Sequence, residues 1–329
     1  MKRSMDGGFL LLVAGLLAVP RVSEGQMLHV ADLTSRQISS LDRARTVVLL
    51  PAGILEEHGP YLPSYSDGYL NEWLTERLAE AIVARPGWTA LIFPAIPLGN
   101  SGANDIGGKY TFPGTYTVRF ETLRAVFMDL ADELGAQGFR WIFVIHLHGA
   151  PNHSRALDQA GDYFHDSYAG WMVHLAGLNS VFAAIAGPKG DAETAEDGLP
   201  IHAGMDETSW MLFLRPDLVK PEFRQAPRAS ASNMEDLVAV ARARNWPGYL
   251  GSPRLATVAH GAGVVHAVTS KAITAAMSIL DGADPRTLER YATTMEKSPP
   301  DMALDAASRR AETERELRQR LWIEKRAHP

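Results

Sequence analysis

The order of apolar runs in this chain predicts an α/β protein, a three-layer α/β/α arrangement around a mainly parallel central sheet. Three observations carry the expectation. Short apolar, β-branched runs of strand length recur along the chain; stretches with apolar residues at helical spacing follow them; and Gly-rich turns separate the two. Strands joined through helices pair in parallel, and helices then cover both sheet faces.

Taken in order, Thr46 to Ala52 reads as a strand by its β-branched run. Tyr69 to Ala84 reads as a helix with Leu70, Trp73, Leu74, Leu78 and Ile82 on one stripe. Ala90 to Ile96 is the next strand. Glu121 to Leu134 is a helix with Leu123, Val126, Phe127, Leu130 and Leu134 facing inward. Trp141 to Ile145 is a third strand, His153 to Tyr168 the helix after it, and Met172 to Leu175 a short fourth strand. Asp206 to Leu214 reads as a helix with Glu207 in its first turn.

At 329 residues and 46% apolar content the chain can bury a sizeable core. A formal charge of -6 and a pI near 6.0, with no basic run interleaved with aromatics, exclude a nucleic-acid-binding face. The absence of cysteine excludes disulfides, Cys-ligated zinc and a thiol nucleophile. Any metal must therefore sit on oxygen and nitrogen donors.

Such donors gather where strands end. The first strand runs out in Glu56 and His58, two residues apart and so on the same side of an extended segment, while Glu57 faces away. Gly59 and Pro60 then turn the chain, which can carry Asp67 back to the pair; its carboxylate has two oxygens with which to bridge two cations. The third strand ends in His146 and His148 at a Gly-rich turn. In an open α/β sheet these positions form the carboxyl-end crevice where ligands bind. Asn100 to Gly114 follows the second strand at the same edge, so this loop is expected to line the pocket, with Asn100 and Ser101 at the substrate.

These segments, with His202 to Ser209 (HAGMDETS), Phe112 to Thr115 (FPGT) and Gly251 to Thr257 (GSPRLAT), resemble the creatininase family of metal-dependent amidohydrolases over about Leu28 to Asp281. The resemblance implies a creatininase-like fold and a site holding two divalent metal ions (Zn, Mn or Fe) on Glu56, His58, Asp67, His148 and Glu207. It implies His202 as a residue facing the substrate. Two positions depart from the family pattern. His146 stands where the family has Asn; it is read as a substrate contact or a donor to a carboxylate, with a supplementary ligand as the alternative. Ala150 stands where creatininase itself uses a Glu ligand, which argues against creatinine as the substrate.

The implied reaction is hydrolysis of a C–N bond in a small cyclic or linear amide. A metal-bridged hydroxide forms as the pKa of water falls from about 15.7 toward about 7; Asp67 and Glu207 position the cations and His202 protonates the leaving nitrogen. Two alternatives remain open at this point, a metal-dependent esterase or lactonase and a non-catalytic binding protein on the same fold. The resemblance also implies a homo-oligomer, possibly a hexamer.

Lys2 and Arg3 precede an apolar stretch, Phe9 to Val19, with the length of a signal-peptide core, and Ser23 and Gly25 supply small residues for cleavage. The expected organisation is therefore a signal peptide over 1–25, a catalytic domain over 26–285 and a charged helical tail over 286–329. The mature protein is expected in the periplasm or secreted, off the membrane. The tail is read as a surface or subunit-contact helix, and the acidic stretch 187–200 as a solvated loop or a flap. His153, His165 and His174 are read as structural, and His260 and His266 as belonging to the close of the fold.

Overall fold

The structure, a computed structural model, describes residues 25–327. The signal-peptide segment lies, apart from Gly25, outside the described residues. Strands Gln26–His29 (β1), Thr46–Pro51 (β2), Thr89–Ile92 (β3), Trp141–Ile145 (β4) and Trp171–His174 (β5) form one sheet in the order β1-β3-β2-β4-β5. Every neighbouring pair is parallel, with Val48 opposite Leu91 on one side and Ile142 on the other.

All six residues of β2 are buried, because helices cover both faces of the sheet. The pleat sorts them. Val47 and Leu49 pack with Leu70, Leu74 and Leu78 of the Ser66–Val83 helix and with Val264 and Val268 of the Val258–Leu280 helix. Val48 and Leu50 pack with Phe120, Leu123 and Phe127 of the Phe120–Ala136 helix and Phe164 of the Pro151–Tyr168 helix. The expected stripes thus face inward.

The strand order creates the crevice. From β2 the chain runs through Ser66–Val83 to β3 on one side; from β4 it runs through Pro151–Tyr168 to β5 on the other. The two connections diverge above the β2–β4 pair, which is a topological switch point.

The structure departs from the sequence expectation at several elements. The Ser66–Val83 helix starts three residues before Tyr69, which puts Asp67 in its first turn, where the helix dipole favours a carboxylate. β1 was not anticipated: it is a four-residue edge strand, largely exposed, with almost no apolar run to betray it. The Val258–Leu280 helix was also missed. Thr257 caps it, accepting from His260 N, and its Gly261 lies so close to the Met205–Leu214 helix that a Cβ would sit 1.9 Å from Ser209 O. By length and composition this helix could cross a membrane; in the fold it packs on the core.

Two segments, largely exposed as expected, nonetheless carry buried contacts. In 187–200 a short helix, Asp191–Asp197, ends in a buried Asp197 that pairs with Lys189 Nζ at 2.7 Å and accepts from Ser252 N at 2.7 Å. The tail forms the Pro299–Ala327 helix, whose first half lies against the body. Glu312 is buried there, accepting from the Asn100 side chain and from Phe120 N at 3.1 Å.

Candidate metal centre

Ladder bonding continues past β2, with Ala52 N donating to Ile145 O (2.9 Å) and Gly53 N to Ile96 O (3.2 Å). The chain then folds back on itself through Glu56 N to Ser64 O at 2.9 Å, with Gly59 in the left-handed region at φ 65°. This return brings Asp67 to the Glu56–His58 pair.

The Asp67 carboxylate splits between two imidazoles. Its Oδ1 lies 3.3 Å from His58 Nε2 and its Oδ2 lies 3.1 Å from His148 Nδ1. Each imidazole has a second carboxylate partner: Glu207 Oε2 at 3.1 Å from His58 Nε2, and Glu56 Oε2 at 3.2 Å from His148 Nδ1. Two donor groups result, His58–Asp67–Glu207 and Glu56–Asp67–His148, with Asp67 common to both. A third group, Glu56, His58 and His202, overlaps them. Of these residues all but Glu207 are buried.

Both rings are oriented by backbone carbonyls. His58 Nδ1 donates to Glu56 O at 3.0 Å and His148 Nε2 donates to Ser101 O at 2.6 Å. The opposite nitrogen of each ring therefore faces the carboxylates, an arrangement that fixes the tautomer of a metal-ligating histidine. Ser101 reaches this position with φ 57°, and Ala203, beside His202, holds φ 48°. Left-handed non-glycine residues carry strain, and both flank the site. The donor set, the paired groups and the tautomers fit divalent cations.

Burial opposes charge on His58, but the hydrogen bonds its ring donates to Asp67 and Glu207 outweigh it and raise its pKa well above the usual histidine value. Burial opposes charge on His148 as well, and Glu56 and Asp67 likewise overcome it. Burial would raise Glu56, yet His202 and His148 hold it low; Asp67 is held well below the carboxylate range by His148 and His58 despite its burial. Protons on the imidazoles thus balance the acids in the metal-free chain, and bound cations would displace them.

His202 donates from Nε2 to Glu57 O at 2.6 Å, with its Nδ1 3.7 Å from Glu56 Oε1. Burial lowers its pKa, but Glu56, with Glu57 assisting, raises it to about 9. Glu57 is itself buried, accepting from Gly59 N at 3.0 Å, with its Oε1 3.4 Å from His202 Nε2.

These groups open into a cavity of about 150 Å³ lined by Glu56, Asp67, Ser101, His148, His202 and Glu207, and by Asp105 and Ile106 of the Asn100–Gly114 loop, which was expected at the pocket. The sequence reading missed other lining residues: Phe182 and Ile185 come from the segment after β5; Asp301, Leu304, Asp305 and Ser308 come from the C-terminal helix. The last four are spaced i, i+3, i+4, i+7, a helical stripe legible in the sequence but lost among the tail's charges.

Two expected substrate contacts are corrected. His146 is fully buried and does not line the cavity: its Nε2 donates to Leu98 O at 2.9 Å, its ring lies 4.1 Å from that of His153, and burial pushes its pKa down to about 3. It props the loop behind Ser101. Asn100 is also fully buried, its side chain donating to Val118 O at 2.9 Å and to Glu312. Ser101 does reach the cavity. His174 lies 3.7 Å from Asp158, and His260 Nε2 lies 2.7 Å from Asp206, both away from the two donor groups.

A parallel α/β sheet with acids and imidazoles converging above its switch point defines a metallohydrolase. The chain belongs to the creatininase family: the family model described as creatinine amidohydrolase matches residues 31–276. It is accordingly a metal-dependent hydrolase acting on carbon–nitrogen bonds. It is similar to a mycofactocin precursor peptide peptidase of Mycobacterium ulcerans, with 26% identity over 70% of this chain and 84% of the relative. It is 29% identical to a creatinine amidohydrolase of Pseudomonas putida over 53% of this chain and 66% of that one. A crystal structure of creatinine amidohydrolase superposes with a TM-score of 0.59 at 25% identity, covering 78% of this chain and 98% of the other. Manganese and Zn-Zn forms of creatininase are among the solved structures of the same fold.

Proposed function

We propose that this chain is an exported hydrolase of small amides that works with two divalent cations. Glu56 and His148 would hold one, His58 and Glu207 the other, with Asp67 shared between them. The observation that carries the reading is the split Asp67 carboxylate, with one oxygen on each donor group. An all-nitrogen-and-oxygen set suits Zn, Mn or Fe. Cations held there supply Lewis acidity at the scissile carbonyl and make water more acidic.

The chain's own residues do the rest. Glu56 is fixed by Ala103 N and Glu207 by Ala203 N at 3.0 Å, so neither carboxylate needs to reorganise when a cation arrives. His202, anchored through Nε2, presents Nδ1 toward the cavity and carries a proton at neutral pH. When the C–N bond breaks, that proton goes to the departing nitrogen. Burial of the donors keeps bulk water from the carbonyl.

A cavity of about 150 Å³ favours a compact amide over an extended peptide. The apolar Phe9–Val19 stretch after Lys2 and Arg3 supports export. The test pairs metal analysis with assay: Asp67→Ala should lose bound metal and amide hydrolysis together, by about a thousandfold in rate. A purified Asp67→Ala protein retaining both would overturn the shared-carboxylate reading.

A further inference from the structure

We propose that the first half of the Pro299–Ala327 helix is a specificity wall whose carboxylates, with Asp105 beside them, select amide substrates that carry a positively charged group. The proposal rests on the amide-hydrolase reading and names the substrate class of that same site.

The wall lies outside the part of the chain that the family model matches. The family match ends at residue 276, and the helix that closes the cavity begins at Pro299. One stripe of that helix, Asp301, Leu304, Asp305 and Ser308, lines the cavity, and Asp105 lies against Ser308. The same face continues to Glu312, which is held by Asn100 and Phe120 N, to Arg315, which donates to Thr117 O at 3.2 Å, and to Glu316, 2.9 Å from Arg119. A helix anchored along the whole stripe is a fixed surface.

Its charge is unbalanced. Six carboxylates line the cavity, and among its described lining residues there is no Lys or Arg. Glu56, Asp67 and Glu207 belong to the metal groups, which leaves Asp105, Asp301 and Asp305 facing the cavity without a role there. Asp305 Oδ2 lies 3.3 Å from Arg155, and Asp301, which accepts from the Ser298 hydroxyl, has no ion-pair partner among the described residues. Burial pushes Asp105 up to about 7 and Asp305 up to about 6, the behaviour of desolvated carboxyls short of counter-charge. An ammonium or guanidinium group entering the cavity would supply it. Neutral or anionic groups would leave these acids uncompensated or repelled.

The experiment is calorimetric binding of three amides of matched length to the full-length, manganese-loaded protein at pH 8, where Asp105 and Asp305 are ionised. The probes are β-alaninamide, butyramide and succinamate: cationic, neutral and anionic. β-Alaninamide should bind at least tenfold more tightly than butyramide, with succinamate weakest. In the Asp301→Asn/Asp305→Asn double variant the cation-to-neutral ratio should fall to near one, a change that a merely structural role for the helix does not produce. If the double variant does not fold, Asp301→Asn alone keeps the Arg155 pair and should cut the ratio severalfold. Equal affinities for β-alaninamide and butyramide, no binding by any of the three, or a preference that survives the substitutions overturns the proposal. Ammonia release from the same amides reports separately on hydrolysis. Its absence alongside an intact charge preference would sink the hydrolase reading and leave the wall standing.

Discussion

Raising the pH of the metal-free protein should weaken it, and His202 sets a measurable part of the loss. Its pKa is about 9 folded against 6.5 for the ordinary imidazole, so the folded state binds the proton more tightly. The stability that this contributes is fully present below about 6.5 and disappears as pH rises through about 9. At 1.36 kcal/mol per unit, the difference amounts to about 3 kcal/mol. The assay is urea unfolding of chelator-treated protein between pH 6 and 9.5, comparing wild type with His202→Gln, whose amide can still donate to Glu57 O. His58 and His148 are also raised, so both proteins should lose stability across the range, the wild type by about 3 kcal/mol more. Parallel profiles for the two proteins would refute the account of His202. With manganese present the slope should reverse, because cation binding releases those protons and so strengthens with pH.

Three further outcomes follow from the packing and the site. Gly261→Val should destabilise the protein by about 3 kcal/mol, since a side chain there meets Ser209 O, and should weaken metal binding as the helix bearing Glu207 shifts; thermal unfolding and metal titration read the two effects. Glu312→Ala should cost about 2 kcal/mol in a denaturant melt by leaving Phe120 N and one of the two N–H groups of the Asn100 amide unpartnered. Chelation should abolish hydrolysis, and added Mn or Zn should restore it in step with metal content measured by elemental analysis.

The layered fold was legible because β2 and β4 are buried on both faces and read as unbroken apolar runs, while Leu70, Leu74 and Leu78 mark a helix face unmistakably. β1 left no such trace, being an exposed edge. Glu56, His58, Asp67, His148 and Glu207 could be picked out because Glu56, His58 and His148 follow strands, Asp67 and Glu207 lie in first helical turns, and the family pattern singles all five out. His146 misled for the opposite reason. Two residues before His148 on an extended segment, it has the spacing of a partner, yet its ring turns under the loop to reach Leu98 O.

From the residues alone came the donor chemistry, the parallel sheet and the edge of the sheet at which the acids and imidazoles had to meet, since periodicity and side-chain type are local properties of a chain. Only the fold decided that Asp67 divides its oxygens between His58 and His148, that Asn100 is a buried prop, and that a tail read as a surface helix closes the cavity with Asp301 and Asp305. Each of these depends on contacts between segments tens to hundreds of residues apart, and such distances are fixed by packing, which no local pattern encodes.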